Sequence, residues 1–145
     1  MASQGMFAVL AYKATGVGGA GVWAVMLQTR NVTLNMDAGE ANVTTRGNDG
    51  WKATLAGLRE ATLEFELVWE PDDPGFEAVK DAFLAGATIG LAALDKAGAE
   101  GEGPVADWSI TNFSRAEPLE EAIIVSVTAK LAVYDSWTET SVPFV

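Results

Sequence analysis

The residues whose spacing first suggests chemistry are glycines. Gly16, Gly18 and Gly21 fall in a G-x-G-x-x-G spacing behind the apolar stretch 7–15 (FAVLAYKAT), and Asp37 follows where a dinucleotide fold carries its ribose-binding acid. Such glycines let backbone amides approach a pyrophosphate at the start of a helix. That use requires 22–29 (VWAVMLQT) to be helical, and its β-branched and aromatic residues favour a strand instead. The rest of the chain does not alternate strands with helices either, so the glycines are read as a hairpin turn.

The carboxylates are the next candidates. Glu64 with Glu66, and Glu120 with Glu121, imitate the acid pair of a glycosidase, but they suit a solvated strand face and a turn. Asp95, Glu100 and Glu102 imitate a calcium loop without its regular spacing of oxygen ligands. The triplets at Asn31, Asn42 and Asn112 match glycosylation acceptors, which matter only in a secreted chain. The sequence contains no cysteine and no histidine. Disulfides, thiolate nucleophiles, Cys/His zinc sites and a Ser-His-Asp triad are therefore excluded. No catalytic, metal or cofactor site is expected.

The elements that would have to hold such residues read as one β-rich domain over 1–145. Strands are expected at 7–15, 22–29 and 31–36, followed by a long polar loop at 37–50 (DAGEANVTTRGNDG) and a short strand at 51–55. Gly57 reads as a turn. The clearest strand is 60–69, with Ala61, Leu63, Phe65, Leu67 and Trp69 on one face and Glu60, Thr62, Glu64, Glu66 and Val68 on the other. One helix follows, capped by Asp72 or Asp73, with Pro74 in its first turn and Gly86 at its end; Phe76, Val79, Phe83 and Leu84 form its apolar stripe. Strands are then expected at 88–94, 105–114 and 121–134, and an extended C-terminal arm at 135–145. The last strand alternates a mostly polar face of Ile124, Ser126, Thr128 and Lys130 against an apolar face of Ile123, Val125, Val127, Ala129, Leu131 and Val133. This order predicts a mainly β fold, a two-sheet β-sandwich or partial barrel with one flanking α-helix.

Charge narrows the partners. The chain of 145 residues has a net charge of −11, and such a surface repels nucleic-acid phosphate. No apolar run approaches the roughly 20 residues of a membrane span. Met1 to Gly5 holds no base, so synthesis and folding in a cytoplasm are expected, without a membrane partner. Of the five tryptophans, Trp137 in the tail is the expected interface residue.

The passage from Val43 to Lys52 (VTTRGNDGWK), then Gly57-Leu58 and the strand 60–69, resembles the phage major tail tube proteins, in which a "TTR…GW" passage precedes a "GL" turn and a strong alternating strand. The helix and strand from Pro74 to Leu94, the passage from Gly103 to Ser114 and the last strand keep the same order, so the resemblance covers about residues 5 to 135. The type VI secretion tube proteins share that fold. The resemblance implies a structural subunit of a virion tail, made in the host cytoplasm. It implies hexameric rings that stack into a tube, contacts with other tail proteins, and transient, non-specific passage of DNA through the lumen. It also implies that the loop at 37–50, carrying Asp37, Glu40, Asn42, Arg46, Asn48 and Asp49, bridges one ring to the next. A lumen needs a polar strand face that does not grip a polyanion. The faces Thr62, Glu64, Glu66 and Ser126, Thr128, Lys130 fit that need. The alternative is a small acidic capsid-decoration or adaptor module.

Overall fold

The computed structural model describes residues 8–19, 22–95 and 101–138. They form seven strands and one α-helix: β1 (Val9–Lys13), β2 (Ala24–Val25), β3 (Thr29–Asn42), β4 (Thr54–Val68), α1 (Pro74–Ala85), β5 (Thr88–Leu94), β6 (Gly103–Ala116) and β7 (Ile124–Thr138). All seven strands belong to one antiparallel sheet in the order β2-β1-β5-β6-β7-β4-β3. Its two edge strands, β2 and β3, are consecutive in the chain and joined only by Met26, Leu27 and Gln28. Four chain steps reach at most about 14 Å. A flat sheet would hold its outer strands roughly 29 Å apart. The sheet must therefore curl until its edges nearly meet, which gives an open partial barrel.

The core confirms the curl. Leu10 of β1 and Ile89 and Leu91 of β5 share one buried cluster with Leu63, Phe65 and Leu67 of β4 and Val125 and Val127 of β7. The expected sandwich or partial barrel is thus one continuous sheet whose two halves face each other, with α1 closing the side. Asp73 caps α1 by accepting a hydrogen bond from the Phe76 amide (3.1 Å), and Gly86 ends it in the left-handed region (φ 68°). Phe76 and Val79 are buried, and Phe76 meets Trp69 edge-on with ring centroids 5.0 Å apart. The expected stripe fails at Leu84, which is 72% exposed. At about 100° per residue Leu84 stands roughly 140° from Val79, and Ala78 and Ala82 pack inward in its place.

Several boundaries differ from expectation. Residues 37–42 are the second half of β3, not loop, and 54–60 are the first half of β4, with Gly57 inside the strand and not at a turn. The ladder runs out to Asn42↔Thr54. Both faces of this extension are wet, so no buried face imposes a period-2 pattern, and polarity alone resembles a loop. Gly57 faces Gly39, beside a register shift between Ala38 and Glu40, and a Cβ on Gly57 would lie 3.4 Å from the Gly39 carbonyl oxygen. These glycines serve an irregular ladder, as at a bulge. Only Ala24–Val25 of 22–29 forms the β2 strand. The expected C-terminal arm is strand through Thr138, because the start of β6 offers it a ladder (Trp137↔Pro104, Thr138↔Gly103); 139–145 lie outside the described residues.

Candidate functional site

The register of β4 against β7 brings the six predicted polar-face residues together as three direct pairs: Thr62↔Lys130, Glu64↔Thr128 and Glu66↔Ser126. Residues directly opposite in an antiparallel pair share a face. The same rows continue outward. On β3 they meet Asn35, Thr33 and Arg30, and on β6 they meet Ser109, Asn112 and Ser114. A four-strand polar face β3-β4-β7-β6 results, opposite the apolar face of Leu63, Phe65, Val125 and Val127. Asn31 donates from Nδ2 to Glu66 Oε1 (2.9 Å), and Ser114 donates to Asn112 Oδ1 (2.9 Å). A register shift between Ile110 and Asn112 keeps Asn112 on this face, while Thr111 turns its hydroxyl to the Thr128 carbonyl (3.2 Å).

Among the described residues neither flank of this four-strand unit is fully paired with a further strand, although α1 packs on the β6 side through Phe76 and Phe83 against Phe113. On one side β3 is the sheet edge. On the other, β5 pairs with β6 only from Val105 to Ser109, and 110–116 have no further strand beside them. Unpaired N–H and C=O groups of this kind are templates for another chain.

The second feature is an arm. Beyond the Thr62↔Lys130 pair, β4 leaves β7 and continues with β3 alone as a two-stranded ribbon. Its tip, 43–53, is tied down by its own bonds. Thr44 N–H donates to Asn42 Oδ1 (2.9 Å), Ala53 N–H donates to Thr44 Oγ1 (2.8 Å), and Trp51 N–H donates to the Asn48 carbonyl (2.9 Å). A turn of 3-10 helix at Arg46–Asn48 is followed by Asp49 and Gly50 with φ of 51° and 83°, so the predicted Asn48-Asp49-Gly50 turn is present. The predicted ring-bridging residues divide accordingly. Asp37, Glu40 and Asn42 lie on β3, and Arg46, Asn48 and Asp49 lie at the tip. The arm also exposes Leu58 (92%), Trp51 (77%) and Leu55 (61%). Where it diverges from β7, Met36, Ala38, Leu58, Ala61, Leu131 and Tyr134 line a cleft of about 580 Å³.

The other chemical motifs resolve into structure. Gly16 begins a turn at φ 88°, and Val17 N–H donates to Asp107 Oδ1 (2.8 Å); no helix follows, because the chain enters β2. Asp95 Oδ1 accepts from the Glu102 amide (2.8 Å), and Glu102 Oε1 accepts from Trp137 Nε1 (2.9 Å); Glu100 lies outside the described residues. Trp137 therefore has a partner in its own subunit. Burial, with the Asp73 carboxylate as the lesser cause, raises the Tyr12 phenol above its ordinary value, so it supplies no acid or base near neutral pH.

Residues 5–133 match the phage tail tube protein family. The chain belongs to that family. No curated protein matches this tube protein. Its fold is shared with three tail assemblies. The tail of an empty gene transfer agent particle, refined helically with C6 symmetry, superposes with a TM-score of 0.77 at 18% identity, over 97% of this chain and 100% of that one. The virion of a native gene transfer agent particle gives 0.73 at 15%, over 97% and 100%. The SPP1 tail tube gives 0.74 at 12%, over 97% and 80%. The family match decides for the structural tube subunit over the decoration or adaptor module. Sequence reasoning missed the tube protein's open flank at 110–116 and singled out Trp137 where Trp51 is the more exposed. For Trp51 a signal existed, an aromatic between a turn and a basic residue in a polar stretch. For the flank there was none, because strand pairing is not local.

Proposed function

We propose that the tube protein assembles into hexameric rings that stack around a lumen through which DNA passes. The observation that carries this reading is the four-strand polar face with two incompletely paired flanks. Pairing the β3 edge of one copy with 110–116 of the next removes both edges by head-to-tail closure. Six copies bring about 24 strands into the wall, and closed barrels of about 16–18 strands already leave an aqueous channel. On this reading Thr62, Glu64, Glu66, Ser126, Thr128 and Lys130 line the bore, and the arm that carries Asp37, Glu40, Asn42, Arg46, Asn48 and Asp49 reaches the adjacent ring. On this face Glu64 and Glu66 balance Arg30 and Lys130, so it carries no row of cations to hold a polyanion, which can slide past. No cofactor enters the reading, and other tail proteins would meet the tube at its ends.

Electron microscopy of the purified full chain tests assembly. Six-fold rings and stacked tubes are expected, and a discrete monomer at every concentration and salt overturns the reading. The chain lacks cysteine, so Thr128→Cys gives a unique thiol for testing the bore. In formed tubes a small maleimide should label it while a large polymer-linked maleimide does not. Equal labelling by both removes the lumen assignment.

A further inference from the structure

The helix α1 ends on apolar surface that the subunit does not bury. Residues 83–88 (FLAGAT) carry no charge, and both Phe83 and Leu84 are exposed. Phe83 stacks on Phe113 of β6 with ring centroids 6.0 Å apart. Phe113 pairs with Val127 and packs against the buried cluster, so it belongs to the apolar face of the sheet. It also lies in the stretch 110–116, beside which no further strand pairs among the described residues. The end of α1 therefore stands over that flank, on the side opposite the polar face.

The β3 flank carries a surface to match. Met36 is half exposed and pairs with Ala61, which is buried on the apolar face. Met36 also lines the cleft, together with Leu131 and Tyr134. Two features of the sheet bring these surfaces to one place. Neighbouring strands are antiparallel, so β6 and β4 run one way and β7 and β3 the other. Copies related by rotation about a tube axis keep that sense, so 110–116 of one copy meets β3 of the next antiparallel. A sheet that continues its polar face across such a joint continues its apolar face too. The levels also agree. Thr88, just past the Gly86 cap, pairs with Ser109. Ser109 pairs with Lys130, Lys130 with Thr62, and Thr62 with Asn35, the residue before Met36. A joint that continues these rows sets the end of α1 beside Met36.

We infer that α1 of one copy docks on the next copy in the same ring, with Leu84 and Phe83 covering Met36 and the mouth of its cleft. The inference rests on the ring reading above and adds to it a second, apolar layer behind the strand-paired wall. It gives the exposed end of α1 a use: Ala78 and Ala82 fill the inward positions, and Leu84 is left for the neighbour. Each copy offers Leu84 at one flank and Met36 at the other, so the contact is heterologous and closes with the ring. Apolar surface leaves water at every joint, which favours the closed ring over the free subunit.

Two experiments on the full chain test it. Leu84→Lys should leave the denaturation midpoint of the monomer in place, because the side chain is already in water and a cation suits the end of a helix. The same change should raise the concentration needed for rings by about tenfold or more. Rings that form as readily with Leu84→Lys overturn the inference and leave the ring reading intact, whereas a wild-type chain that forms no rings defeats that reading itself. The chain lacks cysteine, so Met36→Cys with Leu84→Cys gives a defined pair for a short bis-maleimide. Applied to formed tubes, the reagent should give a covalent ladder that stops at the ring size. A ladder running past the ring size sets α1 against the next ring. A link closed within single chains sets it on its own copy, and no link removes Met36 as its receptor. Each of these three results overturns the inference, and the cross-link decides the case should Leu84→Lys unfold the monomer.

Discussion

β4 is one strand in two environments. Ala61, Leu63, Phe65 and Leu67 are between 0% and 4% exposed, and every residue from Thr54 to Glu60 is exposed, Leu58 at 92%. The backbone is β throughout, and only the company differs. The inner half is flanked by β7 and β3 and faces the core, whereas the outer half has β3 alone. Apolar residues in the inner half stabilise the subunit by leaving water as it folds. Leu55 and Leu58 in the outer half can gain that stabilisation only from another molecule. If the arm makes the inter-ring contacts proposed above, folding and polymer formation draw on separate segments of the same strand and can be broken separately.

The largest effect should come from the core. Trp108 is 1% exposed and donates from Nε1 to the Leu91 carbonyl (3.2 Å). Trp108→Ala should lower monomer stability by about 3–5 kcal/mol in denaturant titration, through the cavity and the orphaned carbonyl. The sharpest break of the comparison pairs two leucines of β4. Leu63→Ala should cost about 2–5 kcal/mol. Leu58→Ala should change monomer unfolding by no more than about 0.5 kcal/mol. Its effect should be read in tube yield by sedimentation. Equal destabilisation of the monomer by both would erase the distinction between the halves.

Smaller effects sharpen the same line. Asp73→Ala removes the α1 cap and should cost about 1 kcal/mol, with unfolding followed by circular dichroism and no direct effect on tube contacts of the arm. Smallest is Tyr12. Its phenol is raised above the ordinary 10.0, so its contribution is fully present below that pH and is lost as pH rises through the folded-state value. Tyr12→Phe should flatten the fall in stability above pH 10.0 and leave it unchanged at neutral pH.

Where one face is buried, the sequence was legible. The alternation in 60–69 and from Val125 to Lys130 identified the polar and apolar faces, and the β4–β7 register then paired the polar residues that periodicity had grouped. Ile124, expected on the polar face, is buried, and Val133, expected on the apolar face, is 61% exposed past a register shift. The α1 limits followed from Asp73, Pro74 and Gly86, each of which has a local physical role. The arm was not legible. A ribbon wet on both faces carries no alternation, and glycines at 39 and 57 suggest turns when read without their partner.

By itself the sequence determined what each residue could do locally: which faces prefer water, where the helix starts and stops, and that no thiol or imidazole is present for chemistry. Only the tertiary structure decided which strands lie side by side. The edges at β3 and at 110–116 and the divergence of the arm from β7 follow from pairing between residues far apart in the chain. Local propensity does not encode that pairing. It is selected when the whole sheet curls to bury one common core.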